Sequence, residues 1–208
     1  MAIITISRMY GSGGSDVAAR VAHALQWSLL DNAFVDAVAE RLGVPASEVQ
    51  AREERSPSLV ERLATALAVA SPEILPPPAE QLPPSEERML EVTRRIIEEA
   101  VARGNCVLVG RGAQSVLARR AGVLHVFCHA PREALVRRVA ERRGVSLAEA
   151  EKNVDEINKQ REQYVRTTFK RSWKAHENYH LSVNTDWLGI DGAAQAIVAA
   201  ARQMGLAS

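Results

Sequence analysis

The sequence predicts an α/β fold, a five-stranded parallel sheet with helices on both faces. Three observations predict it. Short apolar, β-branched runs alternate with helical patterns along the 208 residues, and parallel strands need crossovers that are usually helices. A glycine cluster, Gly11, Gly13 and Gly14, stands between the first strand and the first helix, where a turn that cradles an anion is built. The composition, 47% hydrophobic and 25% charged, is that of an ordinary globular chain. A chain of this length is expected to form one domain over residues 1–208 with insertions, rather than two small domains.

The elements follow in order. Residues Ala2 to Ser7 read as a strand, and Val17, Ala18, Val21, Ala22 and Leu25 recur at helical spacing after the glycine cluster. WSLLD reads as a short second strand and Ala33 to Leu42 as a helix. The segment from Pro45 to about Ala70 looks helical, and the stretch SPEILPPPAEQLPPS excludes helix interior and central strand alike. A helical and proline-rich insert over about residues 43–90 is therefore expected. Ser85 is placed to cap a helix that runs to about Arg103, with Gly104 as its stop signal. NCVLVG and GVLHVFC are the third and fourth strands, separated by a short helix, and Pro131 opens the next helix in its first turn. A charged helical region, one helix or two, covers Ser146 to about Lys174 and makes a lid-like segment of about residues 142–174. YHLSVNT is the fifth strand and DGAAQAIVAAARQM the closing amphipathic helix.

Charge excludes some functions. With 26 basic and 25 acidic side chains the net charge is +1, so no whole-molecule field draws the chain to nucleic acid or an anionic membrane, and any anion site is local. No segment approaches the ~20 apolar residues of a membrane span, and no leader pattern is visible, so a cytoplasmic protein is expected. Cys106 and Cys128 sit in apolar runs and read as core residues. His125 and His129 flank Cys128 without a third ligand nearby, which disfavours a metal site.

Four segments carry candidate chemistry. In SRMYGSGGSD, converging backbone N–H groups and the positive end of a helix dipole suit a phosphate. Against G-x-x-x-x-G-K-[ST], Arg8 takes the first glycine position, Gly13 the second, Gly14 the lysine position and Ser15 the hydroxyl position. Either another cation replaces the lysine or phosphoryl transfer is weak; a tight turn with no ligand is the alternative. In VLVGRGAQSVL, Arg111 stands at the carboxyl end of a strand, where open α/β sheets bind ligands and a guanidinium fork suits phosphate; a solvated turn arginine is the alternative. In KNVDEINKQREQYVRTTFKR, Lys152, Lys159 and Arg166 share one helical face, Arg161 lies on another, and the basic face either closes over phosphates or is simply solvated. Asp31, at the end of the second strand, either binds a substrate hydroxyl or amine or caps a helix.

In this order the segments resemble the cytidylate-kinase-like proteins, a branch of the P-loop nucleoside monophosphate kinases. ITISRMYGSGG matches their I-S-R-x-x-G-S-G-G opening, which also lacks the usual lysine, and NCVLVGRGAQSVL matches their G-R segment. LLDNAFVDAVAERLG, NKQREQY and YHLSVNTDWLGIDGAAQAI resemble the neighbouring strand and helix, the lid and the closing elements. The resemblance implies ATP and Mg²⁺ as cofactors and transfer of phosphate to CMP or dCMP. It implies that Gly11, Ser12, Gly13, Gly14, Ser15 and Asp16 cradle the donor phosphates, with Ser15 or Asp16 toward Mg²⁺. Arg111 and Asp31 would hold the acceptor, and Arg8, Lys159 and Arg161 would supply catalytic charge. Relatives carry an arginine and an acid where this chain has Ser15 and Asp16, and an aspartate where it has Asn158. A catalytically silent nucleotide-binding or regulatory module, or a kinase for another small acceptor, are the alternatives. The apolar run from Leu59 to Val69 suits either a homodimer contact or the core.

Overall fold

The protein is described by a computed structural model over residues 1–31 and 86–207. The expected helix at 33–42, the helical stretch at 45–70 with its apolar run, the proline-rich stretch and the Ser85 cap lie outside the described residues. Within them the chain runs β1 (Ile3–Arg8), α1 (Gly14–Leu25), β2 (Ser28–Leu30), α2 (Glu86–Arg103), β3 (Cys106–Val109), α3 (Ala113–Val116) and β4 (Val123–His129). It continues through α4 (Arg132–Arg143), α5 (Leu147–Phe169), a 3-10 turn at His176–Asn178, β5 (Leu181–Asn184) and α6 (Gly189–Gln203).

The sheet has the order β2-β3-β1-β4-β5, and every pairing is parallel. β1, β3 and β4 are central and almost wholly buried, which is why they read as continuous apolar runs rather than alternating ones. Side-chain alternation still sorts them between two cores. Ile4, Ile6, Val107, Val109, Leu124 and Val126 face α1 and α6. Ile3, Cys106, Leu108 and Val123 face α2, through Ile96, Ile97, Ala100 and Val101. Helices therefore cover both faces, as the alternation of strands and helices requires.

β1 lies between β3 and β4, so the chain leaves it in opposite directions along the sheet. That switch point opens a crevice beyond the carboxyl ends of the strands. Arg8 of β1, Gly110 after β3 and His129 of β4 all stand at its rim.

Residues 147–169 form one helix, not two. Ser146 caps it by accepting the Glu149 N–H at 3.2 Å, and neither glycine nor proline interrupts it before Lys170 turns left-handed. Pro131 is the residue before α4, one position earlier than the first-turn place expected of it. Among the described residues no helix is long and apolar enough to cross a membrane.

Candidate active site

β1 ends at Arg8, and Met9 to Gly13 form a turn onto the amino end of α1. Gly11 (φ 84°) and Gly13 (φ 71°) are left-handed, and a Cβ on Gly11 would stand 2.7 Å from the Leu135 carbonyl, so glycine is required there. Following the backbone N–H groups shows what the turn offers. Met9 donates to the Cys128 carbonyl at 2.9 Å, Ser12 to the Met9 carbonyl at 3.1 Å and Val17 to the Gly13 carbonyl at 3.0 Å. Tyr10 donates to Asn158 Oδ1 at 2.8 Å. The N–H groups of Gly11, Gly13, Gly14, Ser15 and Asp16 have no hydrogen-bond partner among the described residues, and Gly13 supplies no side-chain cap. The Ser12 carbonyl is drawn to the back of the turn by the Thr185 hydroxyl at 2.7 Å and Arg138 at 3.4 Å. Five donors and the positive end of a 12-residue helix thus remain for an anion.

Gly14 has no room for a lysine. A Cβ there would lie 2.5 Å from Arg8 Cβ and 3.2 Å from Cys128 Cβ. The space that a side chain at position 14 would need is taken by the stem of Arg8, whose guanidinium stands 3.7 Å from the Asp31 carboxylate.

A narrow cavity adjoins the turn, with room of about 30 Å³, enough for about two water-sized groups. Arg8, Arg111 and Arg161 line it, with Ser7, Tyr164 and Tyr179. Arg111 is buried and left-handed (φ 53°) between Gly110 (φ 71°) and Gly112 (φ 66°). A non-glycine residue held in that region costs ~1–2 kcal/mol, and such strain clusters at binding sites. Gly112 meets the end of α5: a Cβ on it would stand 2.3 Å from the Phe169 ring. Arg161 reaches in from α5, donating to the Arg8 carbonyl at 3.1 Å with its guanidinium carbon 5.7 Å from the centre of the Tyr10 ring. Burial pushes the Tyr179 phenol up to about 12, so it stays protonated, and it donates to the Trp173 carbonyl at 2.7 Å.

The structure brings together Arg8, Asp31, Arg111, Arg161 and the turn Gly11–Ser15. It does not bring in Lys159, which is exposed with Lys152 and Arg166 on the solvent face of α5. That basic face, which the sequence left open between closing over phosphates and simple solvation, looks outward and is solvated; Arg161, on a different face, looks inward. Asp16 is exposed in the first turn of α1 and pairs with Arg142 at 3.2 Å. Neither His125 nor His129 joins a metal-type cluster of three ligands among the described residues. His125 is buried, its Nδ1 2.7 Å from the Thr5 hydroxyl, and burial foremost, then the charges of His180 and Arg171, push it down to about 4. Sequence reasoning missed Thr185, Arg138 and Tyr10, and it noted Asn158 only as a departure from relatives, not as a residue that holds the turn. Asn158 and Tyr10 carried a signal, since both lie within the segments singled out; Thr185 and Arg138 reach the turn from 173 and 126 residues away.

The family model described as the cytidylate kinase-like family matches residues 3–187. The chain belongs to the cytidylate kinase-like family. Among solved structures, an uncharacterized protein from Eubacterium ventriosum is similar at TM-score 0.67 and 19% identity, covering 96% of this chain and 98% of that one. A shikimate kinase from Bacteroides thetaiotaomicron is similar at TM-score 0.53 and 17% identity, covering 97% and 98%. A gluconokinase from Sinorhizobium meliloti is similar at TM-score 0.50 and 13% identity, covering 98% and 95%. These likenesses show a P-loop kinase fold for this member of the cytidylate kinase-like family. No curated protein sequence matches it.

Proposed function

We propose that this cytidylate kinase-like protein transfers the terminal phosphoryl group of ATP to a small acceptor, and that the acceptor is a nucleoside monophosphate, CMP or dCMP. The observation that carries the reading is a set of five backbone N–H donors with no partner among the described residues at the turn, next to the arginines of one cavity. Phosphoryl transfer asks little covalent chemistry of a protein. It asks for in-line positioning and for charge to be met on the transferring oxygens.

Gly11, Gly13, Gly14 and Ser15 hold the donor phosphates through their N–H groups. Arg8 supplies the cation that lysine supplies elsewhere, entering from the strand instead of the helix because it fills the space over Gly14. Arg161 meets charge developing on the transferred group, and Arg111, the buried left-handed arginine, holds the acceptor's phosphate in a fork. Asp31 steadies Arg8 and faces the acceptor's polar edge.

The residues present fit a Mg²⁺ ion. A hydroxyl and a carboxylate, Ser15 and Asp16, stand in the first turn of α1 beside the phosphate cradle, and Mg²⁺ is held by one or two such groups plus phosphate oxygens and water. Bound there, it would neutralise the donor's outer oxygens. Asp16 must leave Arg142 to serve it, an exposed pair whose loss costs ~0–1 kcal/mol.

A non-catalytic nucleotide-binding module is the second reading, favoured by the closed lysine position at Gly14. ADP formation by the parent separates the two, and in Arg161→Ala the kinase reading expects its kcat to fall about 100-fold, as for loss of one charge-stabilising group, with KM for ATP within a few-fold. Unchanged kcat in that variant removes Arg161 from the reaction.

A further inference from the structure

We propose that Tyr10 and Asn158 are a positioning pair that sets the Arg161 guanidinium at the mouth of the glycine-rich turn; the inference rests on the kinase reading above. Asn158 is 6% exposed in the middle of α5, on a stripe that otherwise buries Ala150, Val154 and Val165. A primary amide is costly in such a seam unless it is bonded. Its Oδ1 accepts the Tyr10 N–H at 2.8 Å, and because a backbone N–H can only donate, the orientation of the amide follows. Three residues on, and so on the same side of the helix, Arg161 places its guanidinium carbon 5.7 Å from the centre of the Tyr10 ring and donates to the Arg8 carbonyl at 3.1 Å.

The arrangement is reciprocal. α5 holds the loop residue Tyr10 by its backbone, and Tyr10, through its ring, holds a second residue of α5. Met9 and Tyr10 also pack on the apolar seam between α4 and α5, through Leu135, Val139 and Val154. The turn and the helix that carries its outer cation are therefore fixed as one unit. The chemistry of the pair is specific. An amide oxygen accepts the N–H without bringing a charge, whereas the aspartate that relatives carry here would place a carboxylate three residues from the guanidinium. Only the face of the Tyr10 ring is used to carry Arg161, so phenylalanine should replace it and leucine should not.

The test follows the Arg161 Nε–Hε resonance by ¹⁵N NMR, assigned by its disappearance in Arg161→Ala, and turnover of ATP with CMP, in Tyr10→Phe, Tyr10→Leu and Asn158→Ala. Near-UV circular dichroism shows that each variant is folded. The expected result is a displaced Arg161 resonance in Tyr10→Leu and Asn158→Ala but not in Tyr10→Phe. With it comes a fall in kcat of about fivefold to tenfold in the first two, a KM for ATP within threefold, and no further loss when Tyr10→Leu is added to Arg161→Ala. An unmoved resonance in folded Tyr10→Leu and Asn158→Ala overturns the proposal, and so does an equal loss from Tyr10→Leu whether or not Arg161 is present. Displacement of the resonance in a protein that turns over no acceptor supports the pair and counts against the kinase reading, so the two failures are told apart.

Discussion

Replacing Gly14 by lysine writes into the loop the residue that a standard G-x-x-x-x-G-K turn carries, and the structure predicts that the replacement fails. A Cβ at position 14 would stand 2.5 Å from Arg8 Cβ and 3.2 Å from Cys128 Cβ, against ~3.5–4.0 Å for carbon atoms in favourable contact. Neither atom moves by a change of rotamer, so β1 or α1 must shift. Overpacking of this kind costs ~1–3 kcal/mol, and in a chain of this size each kcal/mol lowers Tm by ~2–4 °C. Gly14→Lys should therefore melt several degrees below the parent and lose ADP formation at least tenfold, because Arg8 is displaced from the cavity. Arg8→Ala should not relieve the clash, since alanine keeps the offending Cβ; Arg8→Gly should. The double variant Arg8→Gly, Gly14→Lys should regain part of the stability that Gly14→Lys loses, the contact with Cys128 Cβ remaining, and move the cation from strand to helix. Thermal unfolding and a coupled ADP assay on the four proteins decide the matter. A Gly14→Lys protein as stable as its parent and faster than it would refute the steric account of the missing lysine.

Other perturbations follow from the same geometry. Arg111→Gly removes left-handed strain of ~1–2 kcal/mol along with a buried guanidinium, so its melting temperature should stay within a few degrees while KM for the acceptor rises at least tenfold. Gly112→Ala should destabilise the protein, since its Cβ would meet the Phe169 ring at 2.3 Å, and Phe169→Ala in the same chain should recover part of the loss in thermal unfolding. Thr185→Val strips the hydroxyl that holds the Ser12 carbonyl; a buried acceptor losing a partner costs ~1–3 kcal/mol, and ATP affinity measured by calorimetry should fall with it. His125 stays neutral in the fold, down to about pH 4, whereas the unfolded chain takes up that proton near pH 6.5. Stability is thus complete above about pH 6.5 and is lost as pH falls toward 4, by ~3 kcal/mol in all. Denaturation midpoints across that window should show the slope, and His125→Gln should flatten it.

The strands that carry the site were legible because β1, β3 and β4 are buried on both faces and so declare themselves as apolar runs that end at the crevice. The glycine turn was legible because only glycine takes the left-handed angles of Gly11 and Gly13. α5 was legible as a helix, but the sequence left its basic face open between closing over phosphates and solvation, and it is another face that looks inward. Lys152, Lys159 and Arg166 repeat every seven residues, but solvated charges do so on any exposed helix. The informative stripe was the apolar one, Ala150, Val154 and Val165, on which Asn158 and Arg161 also fall; reading it first would have placed Arg161 inward and Lys159 outward. Thr185 and Arg138 were beyond reach, since nothing local in NTDW or LVRRV says that they meet a carbonyl more than a hundred residues away.

The most direct test of the central claim is ADP release from ATP and Mg²⁺ against a panel of nucleoside monophosphates and small hydroxy acids, with Arg111→Ala measured beside the parent. The account predicts turnover with CMP or dCMP that Arg111→Ala loses. Turnover of a different acceptor would contradict the assignment of the substrate, and ATP binding without turnover of any acceptor would contradict phosphoryl transfer itself.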